Sequence, residues 1–395
     1  MTLPDLNLTH EPLSVRRLME AAGCHPSATR GFVKQVASLR SGAVSRLAER
    51  QIEPVAGLPD AGSLPAPVSG QGLWLDRVAL IKLNGGLGTS MGLAGPKSLL
   101  PVHGGQTFLD ITLQQVIAAR RRHGAGLPLL LMNSFNTQAA TADYLASRPE
   151  FSNPDGLPCC FEQGQVPKLL LDSLLPASWP TAPDKAWCPP GHGEIYAVLA
   201  RSGLLADLIR SGYDLAFVSN ADNLGATLDL RILAEMRRGG YPLLMEVTDR
   251  TAADRKGGHL ARGLDGRLIL RELAQCPEED LDAFQDIGRH RYFNTNNLWL
   301  HLPSLADRMG DEADGWPDLP LICNPKHLIP EDPSTPMVLQ LETAMGAAIA
   351  AFEGAAALRV GRQRFRPVKR CSDLLGLWSD AYVLGADGTL DLVPD

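Results

Sequence analysis

A glycine-rich segment that ends on a lysine is the part of this sequence most suited to chemistry. Residues 82–98 read KLNGGLGTSMGLAGPKS and follow a short apolar run at 78–81. Glycines let backbone N–H groups approach an anion closely, because no Cβ stands in the way. Lys97 adds a mobile positive charge just beyond them. The segment therefore predicts a loop that binds phosphate groups.

Two well-known phosphate loops do not match this spacing. A Walker A loop needs a glycine followed directly by a lysine, and Pro96 separates the two here. A dinucleotide-binding loop needs the pattern G-x-G-x-x-G, but the third glycine position is Met91. No acidic residue ends a second strand about twenty positions further on, as that loop also requires. The sequence therefore predicts a phosphate loop of another kind.

The composition describes a soluble globular protein. Of its 395 residues, 45% are hydrophobic and 21% are charged, and the formal net charge is −7. A disordered chain carries fewer hydrophobic residues, and a bulk nucleic-acid binder needs a broad basic surface, so both classes are excluded. The length favours one large domain with smaller appendages.

The cysteines and the apolar runs bear on location. The seven cysteines are scattered without a C-x-x-C pair, so neither a zinc site nor a disulfide framework is indicated. Residues 1–7 lack the apolar core of a signal peptide. Residues 344–352, one of the longest apolar runs, fall short of the ~20 residues that a membrane helix needs. We therefore predict a cytoplasmic protein with no membrane partner.

Periodic patterns predict the elements that position the loop. Residues 1–73 are expected to form a small helical extension and a Pro/Gly-rich linker, followed by a catalytic domain over 74–354 and a short segment over 355–395. Strands are predicted at 127–131, 215–218 and 243–247, helices at 109–122, 137–147 and 228–238, and a terminal hairpin turning at Asp387-Gly388. This alternation predicts an α/β fold with a mixed, mainly parallel sheet flanked by helices, which binds ligands at the carboxyl ends of its strands.

Three further motifs are suited to a nucleotide and its metal. Gln163 offers both a donor and an acceptor, which matches the imide face of uracil. A rigid Pro-Pro-Gly turn presents His192, whose imidazole is placed to meet a phosphate. Asp222 follows the apolar run at 215–218, and a carboxylate at the tip of a parallel strand can hold Mg²⁺ between phosphates.

Three other runs are suited to a sugar. The glycine pair Gly257-Gly258 leaves room for a hexose against the backbone. Glu272 supplies a carboxylate that can accept hydrogen bonds from sugar hydroxyl groups. Residues 293–299 hold three amides and a threonine inside an apolar strand. Buried amides need hydrogen-bond partners, and a sugar provides several hydroxyls. Asn296 is the amide that we favour for this contact.

In their order along the chain, these motifs resemble the UTP–glucose-1-phosphate uridylyltransferases of the eukaryotic type. The pieces KLNGGLGTSMG and FNTNNLW are long and specific, and the matching motifs run from Lys82 to Asp373. The resemblance implies a Rossmann-like nucleotidyltransferase core with a small helical N-terminal extension. It also implies the reversible, Mg²⁺-dependent conversion of UTP and glucose 1-phosphate to UDP-glucose and pyrophosphate.

The resemblance assigns roles to residues of this chain. It implies that Lys97 and Lys369, from distant segments, act on one polyphosphate as catalytic residues and that Asp222 is the metal ligand. The nucleotide-binding residues that it implies are Leu83, Asn84, Gly85, Gly86, Gln163, Gly191 and Asn220. The sugar-binding residues that it implies are His192, Asn223, Gly258, Glu272 and Asn296.

Other functions fit parts of the same pattern. UDP-N-acetylhexosamine and broad-specificity UDP-sugar pyrophosphorylases are the nearest alternatives, although Asn84 and Ser90-Met91 favour the glucose enzyme. A catalytically silent UDP-sugar sensor would have lost Lys97, Lys369 or Asp222, and all three residues are present. We expect no counterpart of the C-terminal β-helix that the resemblance implies, because only about twenty residues follow the element near 372. A monomer or a differently built dimer is therefore expected.

Overall fold

A computed structural model describes residues 12–42, 46–68, 70–88, 91–92, 95–310 and 319–393. Ser90, which entered the argument on sugar specificity, lies outside these residues. Within the described ranges the α-helices are α1 Pro12–Ala21, α2 Pro26–Arg40, α3 Phe108–His123, α4 Gln138–Ala146, α5 Ile195–Arg201, α6 Leu204–Arg210, α7 Leu230–Gly239, α8 Leu281–Gln285, α9 Leu302–Met309 and α10 Cys371–Trp378.

The strands of the described residues follow the same order along the chain. They are β1 Ile52–Pro54, β2 Val78–Leu83, β3 Pro101–His103, β4 Gln106–Thr107, β5 Leu129–Asn133, β6 Cys160–Glu162, β7 Val166–Pro167, β8 Leu169–Leu170, β9 Trp187–Cys188, β10 Leu215–Asn220, β11 Leu243–Asp249, β12 His259–Gly263, β13 Leu268–Arg271, β14 Tyr292–His301, β15 Leu321–His327, β16 Met337–Thr343, β17 Ala356–Arg359, β18 Tyr382–Leu384 and β19 Leu390–Leu392.

A ten-stranded mixed sheet forms the centre of the fold. Its main path runs β1-β12-β14-β10-β2-β5-β6, and in addition β11 pairs with β14, β17 with β11 and β13 with β12. Strands β10, β2, β5 and β6 run parallel to one another, whereas β14 runs antiparallel to β10 and β11. The mixed α/β fold with flanking helices is thus confirmed, and the parallel strands bring their carboxyl ends to one edge.

Apolar side chains on both faces explain why these strands read as continuous hydrophobic runs. Alternate residues of β2 point to opposite faces, so that Ile81 packs in one core cluster and Leu80 in the other. Strand β10 repeats this pattern with Val218 and Phe217. Parallel strands covered on both faces have this pattern, since helices pack on each side.

The predicted helices and strands agree with the structure to within a few residues. The helix expected at 109–122 is α3, and it begins with a capping box in which Thr107 Oγ1 accepts from the Asp110 amide while the Asp110 carboxylate accepts from the Thr107 amide. It ends at Gly124, whose φ of 63° suits a left-handed helix terminus. The predicted terminal hairpin is also confirmed as β18–β19.

The N-terminal and C-terminal segments both join the central sheet. Strand β1 lies within the predicted extension at 1–73 and pairs with β12, while α1 and α2 pack on a separate apolar cluster against β16. Strand β17, from the predicted terminal segment, pairs with β11. None of the helices in the described ranges has the length and apolar character needed to cross a lipid bilayer. The cytoplasmic location and the oligomeric state stay predictions.

Two buried histidines stack against each other, one at the start of β12 and one just before β14. The rings of His259 and His290 are 3.9 Å apart between centroids, and both side chains are fully buried. His290 Nε2 lies 2.9 Å from the Glu49 carboxylate, which also accepts a hydrogen bond from Arg271. Loss of solvation, together with the charges of His290 and Arg250, lowers the pKa of His259 to about 2. His259 is therefore neutral in the folded protein.

We expect His259 to make the fold sensitive to acid. Because its pKa is lower in the folded state than the ordinary value of 6.5, the unfolded state binds the extra proton, and stability is lost as pH falls below 6.5. One such group costs about 1.4 kcal/mol for each pH unit. Urea unfolding at pH 7.5 and pH 5.5 should show a smaller acid loss in His259→Gln than in the wild type. Equal losses in both proteins would contradict this assignment.

Candidate functional site

A cavity of about 350 Å³ opens at the carboxyl ends of β2 and β10. Because these strands are parallel and adjacent, the loops that follow them face each other across the cavity. The predicted site residues that line it are Leu83, Asn84, Gly85, Gly86, Lys97, Gln163, Gly191, His192, Asn220 and Asp222. Residues separated by more than a hundred positions are thus brought to one place.

The glycine-rich segment folds back on itself at the cavity. Leu87 and Pro96 form an antiparallel bridge, and the Lys97 amide donates to the Gly86 carbonyl at 3.2 Å. This closure places Lys97 next to the first glycines of the segment. The described residues at the two ends of the predicted phosphate loop are therefore brought together with Lys97 at the cavity, and we call this closure the glycine-rich turn.

Gln163 lies directly against the first of these glycines. A Cβ added to Gly85 would stand only 2.5 Å from Gln163 Nε2, so the present position of the Gln163 side chain depends on the absence of a Cβ at Gly85. The backbone N–H of Gln163 donates to the Asn133 carbonyl at 2.8 Å, which fixes the backbone of Gln163 to the end of β5. The primary amide is thus held at the cavity wall, where its donor and acceptor can read a planar ring.

The side chain of Asn84 points away from the cavity. Its Nδ2 donates to Asn133 Oδ1 at 2.7 Å and to Thr141 Oγ1 at 3.0 Å, and the residue is only 3% exposed. These contacts tie β2 to β5 and α4. Asn84 therefore shapes the cavity through its backbone, and its amide group is not directed at a ligand.

Lys97 forms the main charged contact in the cavity. Its Nζ is paired with the Asp222 carboxylate and donates to the backbone carbonyl of Val368. Both side chains of the pair are mostly covered, at 18% and 17% exposed, so their attraction is screened less than that of a surface pair. The predicted lysine and the predicted metal ligand thus lie in contact, beside the segment that carries Lys369.

His192 enters the cavity as a neutral imidazole. Its Nδ1 accepts a hydrogen bond from the Met345 amide at 3.0 Å, which leaves the proton on Nε2. Loss of solvation lowers its pKa to about 4. His192 is thus a fixed, uncharged hydrogen-bond donor near neutral pH. Sequence reasoning identified the residue but not its protonation state.

A second group of predicted residues lies beside the lysine from the terminal segment. A Cβ added to Gly258 would stand 2.5 Å from the Glu272 carboxylate, so these two residues pack closely. Loss of solvation raises the pKa of Glu272, and the charge of Lys369 opposes that rise. Lys369 Nζ also lies 5.9 Å from the ring centre of Phe293. The structure thus places Gly258, Glu272 and Lys369 together, outside the lining of the 350 Å³ cavity.

Asn296 is presented by an irregularity in β14. The pairing of β14 with β11 shifts register at Glu246 and Val247, and Asn296 has a φ of 57°. Its Oδ1 accepts from Asn294 Nδ2 at 2.8 Å, which holds the strained residue in place. A bulge of this kind turns a side chain out of the regular strand pattern, and bulges are frequent next to active sites.

Asn223 needs a correction. The resemblance implied that Asn223 binds the sugar. The residue is only 1% exposed, however, and its Nδ2 donates to the Arg364 carbonyl at 3.0 Å. Its Oδ1 accepts from the Arg366 amide at 2.9 Å. The side chain therefore joins the Asp222 loop to the terminal segment instead of reaching a ligand. An amide in a polar run gives no signal of which way it points.

Sequence reasoning missed several groups around the cavity. Glu342 lines it without having been assigned a role, and the hydroxyl of Ser98, also in its lining, has no partner among the described residues. Arg364, to which sequence reasoning assigned no role, forms a buried two-bond pair with Glu246 at 2.7 Å. The run 359–370 looks uniformly basic, so its sequence did not distinguish this arginine from its neighbours.

Comparisons with known proteins show the family to which this chain belongs. The sequence profile of the family described as UTP–glucose-1-phosphate uridylyltransferase matches residues 30–394. This chain belongs to that family. The enzyme of that name from Saccharomyces cerevisiae is 46% identical over 327 residues, which are 81% of this chain and 62% of the yeast protein. That from Hordeum vulgare is 43% identical over 78% of this chain and 63% of its own length. The chain thus spans somewhat less than two thirds of these relatives.

Solved structures of the family share the fold over nearly the whole chain. The crystal structure of UDP-glucose phosphorylase from Trypanosoma brucei has a TM-score of 0.91 and 44% identity, over 98% of this chain and 82% of that one. A mutant UDP-glucose pyrophosphorylase from Leishmania major, crystallised in complex with UDP-glucose, has a TM-score of 0.90 and 43% identity, with the same coverage. Family membership and fold thus rest on separate comparisons.

The family relation implies a divalent metal, and Asp222 is the residue that would hold it. In the described part of the chain, no three His, Cys, Asp or Glu side chains form a group able to bind a metal. Mg²⁺ does not need such a cage, because it commonly binds one or two carboxylates together with phosphate oxygens and water. A single carboxylate in the cavity wall therefore fits an Mg²⁺ ion that arrives with a polyphosphate.

Proposed function

We propose that this protein is a UTP–glucose-1-phosphate uridylyltransferase that converts UTP and glucose 1-phosphate to UDP-glucose and pyrophosphate. The observation that carries the proposal is the Lys97–Asp222 pair at a cavity walled by the glycine-rich turn and Gln163. A cation, a metal-binding carboxylate and a base-reading amide are the parts that a nucleotidyl transfer requires. Membership of the family supports the same activity.

UTP is proposed to bind with its base at Gln163 and its phosphates at the glycine-rich turn. The Gln163 amide has the donor and the acceptor needed for the imide edge of uracil. Its contact with Gly85 fixes the distance between the base and the turn. The backbone at Gly85 and Gly86, free of side chains, then lies beside the phosphates. Leu83, Gly191 and Asn220 complete the nucleotide side of the cavity.

The reaction is an in-line displacement at the α-phosphorus of UTP. An oxygen of the sugar phosphate attacks phosphorus, and the bond to the leaving pyrophosphate breaks. The nucleophile is already an anion, so no general base is needed. Lys97 neutralises charge on the phosphates, and the Nε2–H of His192 donates to a phosphate oxygen. Catalysis then consists of positioning and charge stabilisation.

Two further groups complete the proposal. Mg²⁺ held by Asp222 would supply charge neutralisation between the phosphates. Lys369 reaches the polyphosphate from the other side, while Gly258, Glu272 and Asn296 contact the hexose. The closeness of Lys369 to Glu272 supports this arrangement, because it places a cation at the boundary between phosphate and sugar.

The activity is tested directly with the purified protein. Incubation with UTP, glucose 1-phosphate and Mg²⁺ should give UDP-glucose and pyrophosphate in equal amounts. Chromatography measures the UDP-glucose, and a coupled assay measures the pyrophosphate. A panel of sugar 1-phosphates, including N-acetylglucosamine 1-phosphate and galactose 1-phosphate, tests specificity for glucose. Turnover of the aminosugar substrate alone would replace the proposal with an N-acetylhexosamine enzyme. Binding of UDP-glucose without any turnover would indicate a sensor.

The contact between Gly85 and Gln163 gives a prediction for substrate binding. In Gly85→Ala the new methyl group would overlap Gln163 Nε2, so the amide must move away from the base. We expect the KM for UTP to rise about tenfold, with a much smaller change in the KM for glucose 1-phosphate. Steady-state kinetics with each substrate varied in turn measure both constants. A matched Gly57→Ala variant, in which the added methyl group meets no atom within 4 Å and which lies outside the cavity lining, should keep wild-type KM values. Wild-type KM values in Gly85→Ala would contradict the proposed uracil site.

A further inference from the structure

A lysine is buried directly beneath the cavity. Lys82 lies on β2 and is only 1% exposed. Its Nζ donates to Ser219 Oγ at 2.8 Å and to the Ala226 carbonyl at 3.0 Å. Lysine is rarely buried to this extent, because removing an ammonium group from water is costly unless other groups compensate. The binding proposal above leaves this residue without a role.

The two acceptors of Lys82 flank the loop that carries Asp222. Ser219 lies one residue before the end of β10, and Ala226 follows the loop at 220–225. Ser219 is also the residue opposite Lys82 in the parallel pairing of β2 and β10. A single ammonium group thus joins the start of the loop to its end. Both anchor points are thus tied to β2.

The charges around Lys82 suit this position. Loss of solvation lowers the pKa of Lys82 to about 7, and the positive charge of Arg364 adds to the effect. Asp222 and Glu246 act in the opposite direction and favour the ammonium form. A substrate that adds phosphate charge to the cavity acts in the same direction as these carboxylates. The lysine is therefore suited to remain charged when the cavity is filled.

We infer that Lys82 is a positioning residue, whose ammonium group fixes both ends of the 220–225 loop so that Asp222 faces Lys97 and the metal. The inference rests on the proposed function, since Asp222 is the proposed metal ligand. Lys82 itself touches neither substrate nor metal. Its effect reaches the reaction only through the place of the Asp222 carboxylate.

The test is the variant Lys82→Met, which keeps the length of the side chain and removes its charge and donors. The change leaves Ser219 Oγ and the Ala226 carbonyl without their donor, so a loss of stability is expected, and thermal unfolding establishes whether the variant is folded. We expect kcat to fall about 10- to 100-fold, as for other small displacements of catalytic groups. The Mg²⁺ concentration for half-maximal rate should rise, while the KM for glucose 1-phosphate stays within about twofold.

A matched control is available in Lys168, another buried lysine. It is 6% exposed and its Nζ donates to the Leu328 carbonyl at 2.8 Å, away from the Asp222 loop. Lys168→Met makes the same chemical change and should leave kcat and the Mg²⁺ dependence within about twofold of wild type. Thermal unfolding of both variants separates an effect on stability from one on turnover.

A second variant keeps the inference falsifiable if Lys82→Met does not fold. Ser219→Ala removes one of the two acceptors and retains the charge, and it should raise the Mg²⁺ requirement with a smaller loss of kcat. Wild-type kcat and Mg²⁺ dependence in a folded Lys82→Met, or in Ser219→Ala, would overturn the inference. Failure of the wild type to make UDP-glucose would instead overturn the proposed function. Mg²⁺-dependent UTP binding, measured by calorimetry, would then decide whether Lys82 still matters to the loop.

Discussion

Lys97→Ala is expected to lower kcat for UDP-glucose synthesis about 1000-fold while leaving the KM values nearly unchanged. The reason is that Lys97 Nζ lies at the cavity between Asp222 and the Val368 carbonyl, where it meets charge that grows only as pyrophosphate leaves. A group that acts on the transition state alone changes kcat and not KM. Initial rates over a range of UTP and glucose 1-phosphate concentrations measure both.

Two further variants control this result. Lys97→Arg keeps the positive charge and should recover part of the lost rate. Lys185→Ala removes a lysine whose ion pair within the described residues is with Asp184 at the surface, and its kinetics should equal those of the wild type. Thermal unfolding of Lys97→Ala checks that the fold is intact. A folded Lys97→Ala protein with near-normal kcat would show that the phosphate role is wrong.

Asp222→Asn is expected to lower kcat about 100-fold and to raise the Mg²⁺ concentration for half-maximal activity more than tenfold. Asparagine has the same shape and can still accept a hydrogen bond from Lys97, so the change removes mainly the negative charge that would hold the ion. Rates measured across a wide range of Mg²⁺ concentrations test this. Chelation of the metal should abolish wild-type activity, and added Mg²⁺ should restore it.

The matched control for this variant is Asp184→Asn. Asp184 is 62% exposed and, in the part of the chain that the structure describes, forms its ion pair with its neighbour Lys185, so the same loss of charge occurs at the surface. Its Mg²⁺ dependence should follow the wild-type curve. If Asp222→Asn also followed that curve, the metal would have to be held elsewhere in the cavity.

The glycine-rich turn and the parallel strands were predictable because their signals are local. Strand β10 and helix α3 each have a hydrophobic period within one short window, and the turn is marked by glycine density alone. The bonding of Lys97 to the Val368 carbonyl, in contrast, joins positions 271 residues apart. No local pattern reports such a contact. The resemblance to a family supplied the two lysines together, whereas spacing along the chain did not.

The direction of amide side chains was the part least accessible to sequence reasoning. Asn84 and Asn223 both lie in polar runs at strand ends, the place where ligands bind, yet both amides face inward. Their partners lie 49 and 141 residues away. Asn296 was assigned to a strand correctly, but the register shift that turns it outward depends on how β11 pairs with β14. Orientation is thus a property of the packed sheet and not of the run that contains the amide.

Because Lys97 contacts Val368, we expect UTP binding and turnover to appear only late in synthesis of the chain. A chain that has been translated only as far as residue 350 already contains every residue that lines the cavity. Lys97 at that stage lacks its carbonyl partner, and Lys369 has not yet been translated. Chains released from arrested ribosomes at this length should therefore bind UTP weakly and make no UDP-glucose, whereas chains extended beyond residue 380 should acquire both properties together.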